Sequence, residues 1–285
     1  MTSWFFRVLL FMSVLTLCAQ NTQSHLQIQD SLVLDLPPIN QFLEVDLYGD
    51  LYFETSSQDL LKVVIDSETP AVSYYSHQNS TNENLTYLEV SQPLELLLFY
   101  KDSQKVVLLD RFLNPMKEIV LSELSRYNGL GTSIFALWAV RISSTLVGFY
   151  DSLTSGFLHF KHHTNSIAHQ VDIPFFALDK ILDVHFYEEN LYVLYPDKIR
   201  IYSTFSGLLV KEVFLQETYN RLDIDINYIV LHHASIPKVS VYNLDLELQN
   251  QFTSDLFSVG NTVFHHEKFY VYKNNKVYCY SVKGF

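Results

Sequence analysis

The sequence repeats one pattern six times, in which two short apolar and aromatic runs are separated by a polar turn. The first copy is DLYFET followed by DLLKVV, and the fourth is LYVLYP followed by KIRIYS. The second runs start at residues 59, 105, 145, 198, 238 and 276. A period near 40 residues with two to four short strands per copy is typical of propeller blades. The repeat therefore predicts an all-β fold, a β-propeller of six blades, with seven as the alternative.

The composition of the runs supports a strand assignment. Val, Ile, Leu, Tyr and Phe dominate them, and runs such as LELLLFY are apolar on both alternating faces. Strands covered on both faces are expected inside a blade, because each blade is sandwiched between two neighbours. In KIRIYS the polar and apolar residues alternate, which indicates a more solvated position toward the outer edge.

The two chain ends are predicted to pair with each other. The last copy stops at Phe285 after its third strand, while a strand-like segment from His25 to Leu36 precedes the first copy. Pairing this segment with the last blade would leave no open sheet edge. We therefore predict a single domain over residues 20–285. Its blades are predicted near residues 40–75, 84–122, 130–175, 180–215, 220–253, and 255–285 together with 25–36.

Two segments between the repeats carry weaker signals. NPMKEIVLSELSRY, residues 114–127, has only partial helical spacing and predicts a strand followed by a loop or a single helical turn. The long interval between the third and fourth copies contains SGFLHFKHHTNSIAHQVDIPFFALDK. It is either an expanded blade connection or a degenerate extra blade.

The N-terminus has the layout of a secretory signal peptide. Arg7 precedes an apolar run from Val8 to Leu17, and small Ala19 comes just before a polar segment. We predict a signal peptide over residues 1–19, with the mature chain outside the cytoplasm. A lipid anchor at Cys18 is the less favoured alternative, because Leu17 stands where a lipobox has a small residue. No later segment is apolar over the length needed to span a bilayer.

Charge and cysteine content exclude some classes of function. The chain has 19 Lys and Arg against 31 Asp and Glu, a formal net charge of −12. Such an acidic protein lacks the basic surface that binds nucleic acid, and anionic lipid should repel it. Beyond the signal peptide only Cys279 remains, so no intramolecular disulfide can form and the apolar core must hold the fold.

Three blocks resemble a known family: FLEVDLYGDLYF, YLEVSQPLELLLFYKDSQKVVLLDRFL and DKIRIYSTFSGLLVKEV. In this order they resemble an uncharacterised family of exported β-propeller proteins from Bacteroidota, and more remotely NHL, PQQ-like and YVTN propellers. The resemblance covers about Phe42 to the C-terminus. It implies a periplasmic or outer-membrane-associated location, and it adds no catalytic residue.

Histidines are the most conspicuous candidates for a metal site. His162 and His163 are adjacent, and His159 lies three residues before His162. Imidazole is a common ligand of zinc and copper. However, adjacent strand residues point to opposite faces, so a His-His pair rarely supplies two ligands to one ion. We favour the interpretation that these are surface or turn histidines without a ligand role, and we expect neither a metal nor another cofactor.

Carboxylates at alternate positions are the other candidates for chemistry. Asp223, Asp225 and Asn227 share one strand face, as do Asp46, Tyr48 and Asp50 if the chain stays extended through Gly49. Glycosidases use two such carboxylates. A face exposed to solvent or to the central channel gives the same spacing, and the solvated face is the favoured interpretation. The sequence has no nucleophile elbow, phosphate-binding glycine loop or HExxH motif, so we expect no catalytic residue.

Two serines are weak candidates for modification. Asp30-Ser31-Leu32 and Asp151-Ser152-Leu153 resemble the Asp-Ser/Thr-aliphatic motif that Bacteroidota use for O-glycosylation of exported proteins. The match spans only three residues in each case, and such short matches are common.

These features predict a non-catalytic exported propeller that acts as a protein-interaction platform in the cell envelope, in a role such as outer-membrane assembly or secretion. We expect a protein partner and no nucleic acid. The first alternative is a glycan-active or other hydrolytic propeller enzyme that uses channel carboxylates. The second alternative is a small-ligand or metal-binding propeller.

Overall fold

The computed structural model of the protein describes residues 25–34, 36–65, 71–75, 84–92, 94–128, 133–174, 180–255, 257 and 261–283. Within these ranges the chain forms six antiparallel sheets of four strands each. The sheets are the blades of a propeller, which confirms the six-blade prediction. The predicted signal peptide and Cys18 lie outside the described residues and stay predictions.

Each blade is numbered by its order along the chain. Blade 1 consists of β2 (Ile39–Val45), β3 (Leu51–Thr55), β4 (Leu60–Val64) and β5 (Ala71–Tyr75). Blade 2 consists of β6 (Tyr87–Glu89), β7 (Glu95–Tyr100), β8 (Lys105–Asp110) and β9 (Pro115–Val120). Blade 3 consists of β10 (Ala136–Arg141), β11 (Leu146–Asp151), β12 (Gly156–Lys161) and β13 (Ser166–Asp172). Blade 4 consists of β14 (Asp183–Tyr187), β15 (Asn190–Leu194), β16 (Lys198–Ser203) and β17 (Leu209–Phe214). Blade 5 consists of β18 (Tyr219–Ile224), β19 (Tyr228–His233), β20 (Lys238–Asn243) and β21 (Leu248–Thr253). Blade 6 consists of β22 (Thr262–His265), β23 (Lys268–Lys273), β24 (Lys276–Lys283) and β1 (His25–Val33).

The first strand of each blade lies closest to the central axis. Contacts link β22 to β2, β10 to both β6 and β14, and β18 to both β14 and β22. Because neighbouring strands run antiparallel, the turn after the first strand and the turn after the third emerge on the same face of the ring. We call this side the entry face.

The N-terminal strand closes the ring as predicted. β1 pairs antiparallel with β24, with His25 opposite Lys283 and Val33 opposite Lys276. Just after β1, Leu34 is buried against the core between blades 6 and 1. The last blade is therefore built from both ends of the described chain, and β24 has no free edge.

The fourth copy of the repeat, LYVLYP followed by KIRIYS, supplies the second and third strands of blade 4. Gly207 then turns the chain into β17 with φ of +73°. A Cβ atom at this position would lie 2.2 Å from the carbonyl oxygen of Asp172 in blade 3. Both the left-handed backbone and the close approach of the neighbouring blade therefore require glycine.

The apolar core is divided among the blade interfaces. The buried apolar side chains of the described residues form six clusters, each between two neighbouring blades. In the cluster between blades 6 and 1, for example, Phe42 and Phe53 of blade 1 stack with ring centroids 4.8 Å apart. This arrangement explains why the inner strands are apolar on both faces.

Two weaker sequence expectations are corrected. The strand β9 is followed by an α-helix, α1 (Leu121–Asn128), instead of a loop or a single turn. Leu121 and Leu124 are buried in the core between blades 2 and 3, and this packing stabilises a helix that the local spacing only partly indicates. The long interval supplies β12 and β13, the third and fourth strands of blade 3, so it is neither an expanded connection nor an extra blade.

Among the described residues, no helix has the length and hydrophobicity needed to cross a membrane.

Candidate functional site

A cavity of about 160 Å³ lies at the entry-face mouth of the central channel. Five blades contribute to it through the ends of their first strands and the turns that follow. The ionisable side chains of its wall are Glu44, Tyr87, Glu89, His185, Tyr187, Asp223, Asp225 and His265. Because the first strands converge on the axis, residues far apart in sequence meet here.

Asp223 lies at the centre of an ion-pair cluster on blade 5. The Nε of Arg221 donates to Asp223 Oδ1 at 2.9 Å, and the Nε2 of His232 lies 2.8 Å from Oδ2. Burial alone would raise the pKa of the Asp223 carboxyl, but Arg221 and His232 outweigh it and hold the pKa below its ordinary value. Asp223 is therefore a carboxylate at neutral pH.

The solvated-face interpretation of this strand is wrong for two of its three residues. Asp223 is 4% exposed and Asp225 is 7% exposed, while Asn227 lies in the exposed turn. The physical reason is that β18 is an innermost strand, so both of its faces are enclosed by neighbouring blades or by the channel.

On blade 4, Asp183 and His185 form a second charge pair. Asp183 Oδ2 lies 3.6 Å from His185 Nε2 and also accepts the backbone N–H of Leu222 at 2.9 Å. Burial alone would lower the pKa of His185, but the carboxylates of Asp183 and Asp223 raise it to about 9. His185 is therefore an imidazolium at neutral pH.

The pKa of Glu44 on blade 1 is shifted so that its charged form is disfavoured, whereas the charged forms of Asp223 and His185 are favoured. Its Oε1 accepts only the adjacent backbone N–H of Val45, at 3.2 Å, among the hydrogen bonds of the described chain. Burial and the charge of Asp223 raise the pKa of Glu44 to about 8, although Arg221 and His185 act against them. Glu44 therefore holds a proton at neutral pH.

Blade 2 adds a tyrosine and a carboxylate. The hydroxyl of Tyr87 donates to Glu89 Oε2 at 3.1 Å, and the Tyr87 ring meets the imidazole of His185 edge-on at 6.1 Å. Burial and the neighbouring carboxylates raise the pKa of Tyr87 well above its ordinary value. The cavity wall thus combines a neutral acid, a phenol, an imidazolium and carboxylates.

The three histidines considered as weak metal-ligand candidates do not all converge, although the ring centroids of His162 and His163 lie 4.0 Å apart. His159 Nε2 lies 2.8 Å from the carbonyl oxygen of Thr204, whereas His162 Nε2 lies 3.0 Å from that of Ser144. His163 is exposed. In the described ranges, no group of three His, Cys, Asp or Glu side chains is placed to hold a metal ion.

Asp46, Tyr48 and Asp50 do not share a strand face, because the chain turns at Gly49 and the condition of an extended segment is not met. Gly49 has φ of +84°, and the buried Asp46 accepts the backbone N–H groups of Tyr48 at 2.9 Å and Asp50 at 3.0 Å. Lys62 Nζ lies 2.9 Å from Asp50 Oδ2. These carboxylates anchor the turn and a buried lysine, so their role is structural.

The remaining candidates lie away from the channel. Ser31 is exposed, and the hydroxyl of Ser152 donates to the carbonyl oxygen of Phe135 at 3.1 Å. Cys279 is half-buried within β24. The O-glycosylation of the two serines stays a prediction.

The candidate residues predicted from the sequence did not include Glu44, Glu89, His185 or Arg221. A signal was present, because Leu-Glu-Val occurs at residues 43–45 and again at 88–90, at the end of the first strand of successive blades. Polar residues at the same place in blades 4 and 5 do not match this motif. Their convergence becomes visible only when the blades are set around one axis.

Comparison with known proteins shows the fold. No family model and no curated protein sequence matches the chain. Among solved structures, a streptogramin B lyase is similar with a TM-score of 0.59 and 10% identity over 91% of this chain and 98% of that one. A catalytically inactive virginiamycin B lyase from Staphylococcus aureus, with quinupristin, is similar with a TM-score of 0.57 and 11% identity over 91% and 99% of the two chains.

BamB from Moraxella catarrhalis is also similar, with a TM-score of 0.51 and 10% identity over 90% of this chain and 100% of that one. The chain is a β-propeller. At identities of 10 to 11% these likenesses concern the architecture alone.

Glu44→Gln is expected to stabilise the protein most above pH 8. The pKa of Glu44 is raised from 4.5 to about 8 on folding, so its contribution to stability is complete below pH 4.5 and is lost as the pH rises through 8. Glutamine keeps the shape without the titration. We expect the free energy of unfolding of Glu44→Gln at pH 9 to exceed that of the wild type by about 4–5 kcal/mol.

Urea-induced unfolding at pH 5, 7 and 9 measures this difference. The exposed Glu118→Gln is the matched control and should leave the pH dependence unchanged. Wild-type and Glu44→Gln stabilities that change in parallel from pH 5 to pH 9 would contradict the assignment.

Proposed function

We propose that this protein is a non-catalytic, exported propeller that binds a protein partner in the cell envelope through its entry face. The main support for this proposal is the set of exposed apolar side chains in the entry-face turns around the cavity. Tyr48 is 73% exposed, and Leu47, Leu94 and Ile226 are also exposed in the turns that follow first strands. Exposed large apolar groups that cluster around a polar pocket are typical of protein interaction sites.

The turns between third and fourth strands extend this surface outward. Phe112, Phe205 and Leu208 are exposed there, on the same face of the ring. In the described turns and connections of the opposite face the exposed large apolar side chains are Phe135, Leu153, Leu182 and Ile236, and Val33 and Phe214 are exposed at strand ends there. The entry face therefore offers more apolar surface, and only this face surrounds the charged cavity.

The side chains of the channel favour binding over catalysis. Asp223 and His232 are within hydrogen-bonding distance, as are the aspartate and histidine of a hydrolase active site. However, His232 is buried and is not part of the cavity wall. Asp223 and Asp183 are already bound to Arg221 and His185. These groups also join neighbouring blades, since Asp183 accepts a backbone N–H of blade 5 and Arg221 donates to a backbone carbonyl of blade 6.

One observation supports an acid–base enzyme as the second candidate. Glu44 keeps its proton at neutral pH and faces the cavity, and perturbed pKa values are enriched at catalytic sites. A panel of nitrophenyl glycosides and esters tests this candidate directly. Turnover that is lost in Glu44→Gln would favour the enzyme over the interaction platform.

Site-specific photocrosslinking tests the interaction platform. With p-benzoylphenylalanine in place of Tyr48 or Ile226, cells that export the protein should yield the same discrete adduct from both positions. The matched control is Leu153, which is 65% exposed on the opposite face and should yield no such adduct. Equal adducts from both faces, or none from residues 48 and 226, would refute a partner on the entry face.

A further inference from the structure

We propose that the cavity takes one organic cation of side-chain size, a guanidinium or an alkylammonium, and that the protein partner presents it. This inference rests on the function proposed above and names the chemistry that the entry face recognises. Three features of the cavity carry it: the sign of the charge left in its wall, its aromatic lining and its volume.

The charge left in the wall is negative. Arg221 is bound to Asp223, and His185 is bound to Asp183, so these two cations are neutralised within the cluster. Glu89 accepts hydrogen bonds from Tyr87 and from the backbone of Ser91, and in the described part of the chain no lysine or arginine pairs with it.

Asp225 is the corresponding group on the other side of the channel. It accepts the backbone N–H groups of Ile226 and Glu267, and no lysine or arginine of the described ranges forms an ion pair with it. Burial and the adjacent His266 lower the pKa of nearby His265 to about 4, so His265 adds no charge at neutral pH. Glu89 on blade 2 and Asp225 on blade 5 lie on opposite blades of a six-blade ring, and a cation between them would be attracted from both sides.

The aromatic lining points to the same ligand chemistry. Tyr87 and Tyr187 belong to the cavity wall, whereas Phe264 borders the cavity with a ring that is buried between blades 5 and 6. Aromatic rings attract cations through their faces, and rings combined with carboxylates are the arrangement that recognises ammonium and guanidinium groups. Tyr87 belongs to β6 and Tyr187 to β14, and the hydrogen bond from the Tyr87 hydroxyl to Glu89 places a ring beside a carboxylate in the same wall.

The cavity volume limits the ligand to a single group. At about 160 Å³ the space resembles an engineered protein cavity of ~150 Å³ that holds one benzene molecule. One arginine or lysine side chain matches this size, whereas an oligosaccharide of several rings exceeds it.

Binding of a cation should release a proton from Glu44. The charged and titratable groups that face Glu44 are Asp223 and Arg221 on β18, His185 on β14 and Tyr87 on β6. With a pKa of about 8, most Glu44 carboxyls carry a proton at pH 7.5 before binding. A new positive charge in the cavity stabilises the ionised carboxylate, so binding should release this proton.

Calorimetric titration at pH 7.5 with three small probes tests the proposal. N-acetylarginine amide and N-acetyllysine amide carry the two candidate cations, and N-acetylcitrulline amide is the neutral shape control. We expect at least one cation to bind about tenfold more tightly than citrulline amide. The two cationic probes distinguish a guanidinium site from an ammonium site.

Variants of the protein locate the site. Glu89→Gln, alone and with Asp225→Asn, should weaken the cation about tenfold or more, while the exposed Glu118→Gln should leave binding unchanged. Glu44→Gln should abolish the proton release seen when buffers of different ionisation enthalpy are compared. The single Glu89→Gln variant keeps the test valid if the buried Asp225→Asn change prevents folding.

Equal affinity for arginine, lysine and citrulline amides, or no binding of any probe at millimolar concentration, would refute the cation site. So would undiminished cation binding by Glu89→Gln. Failure of the probes with intact crosslinking at residue 48 would reject the cation and keep the entry-face partner. Loss of crosslinking with intact, Glu89-dependent probe binding would reject the protein partner and leave a small-ligand site.

Discussion

A chain that lacks residues 25–36 is expected to lose its stable, closed ring. β1 supplies the outer strand of the last blade, and the following Leu34 and Leu36 are buried between blades 6 and 1. Burial of each leucine contributes about 1.5–3 kcal/mol, and the hydrogen bonds of a whole strand are lost as well. The total approaches the 5–15 kcal/mol that stabilises a typical domain. Urea-induced unfolding should show a strongly lowered midpoint, and the exposed edge of β24 should promote oligomers in size-exclusion chromatography.

A permuted chain provides the matched control. His25 lies opposite Lys283, so a two-residue Asn-Gly turn placed after Lys283 can lead directly into HLQIQDSLVLDL as a C-terminal hairpin strand. This protein has the same strand in the same sheet, reached from the other chain end. It should recover most of the lost stability. A truncated chain that unfolds at the wild-type midpoint would show that closure by β1 is not needed.

Removal of the Glu95 carboxylate should cost about 3–5 kcal/mol. Arg141 on blade 3 has a side chain that is 1% exposed, and its Nη1 lies 2.5 Å from Glu95 Oε1 on blade 2. Its Nη2 donates to the carbonyl oxygen of Ser144 at 3.1 Å. In Glu95→Ala the guanidinium stays buried without its counter-charge, so the interface between blades 2 and 3 should open at lower urea concentration.

Two further variants separate the buried charge from simple loss of contact. The double variant Glu95→Leu with Arg141→Met replaces the pair by apolar side chains and should recover much of the loss. Asp245→Ala breaks the exposed contact with Lys211, 3.9 Å long, and should change stability by about 1 kcal/mol or less. Equal losses in Glu95→Ala and in the double variant would contradict the buried-charge explanation.

The closure by β1 can be predicted from the sequence, whereas the Glu95–Arg141 ion pair cannot. The closure by β1 follows from counting strands, because a last copy with three strands and a spare strand at the N-terminus fit one another. The Glu95–Arg141 pair has no such signature, since its two residues belong to different copies and are 46 positions apart. Only the lateral packing of blade 2 against blade 3 brings them together.

The same contrast holds for α1 and for the channel. Leu121 and Leu124 alone are a weak helical signal, and the core between two blades decides that the segment is a helix. Asp223 and Asp225 share a strand face by simple alternation, but whether that face meets solvent or the channel depends on the position of β18 in the ring. Local pattern therefore gives the face, and the neighbouring blades give its environment.

The repeat of paired strands, with its period near 40 residues, determined the blade architecture, the ring and its closure, because strand formation and pairing depend on residues close together in the chain or on the matching of its two ends. The charge state of the channel was decided by the tertiary structure. Glu44, His185 and Asp223 come from three blades, and their pKa values depend on mutual distance and burial. Electrostatic interaction acts through space and falls with separation in the fold, so it leaves no period in the sequence.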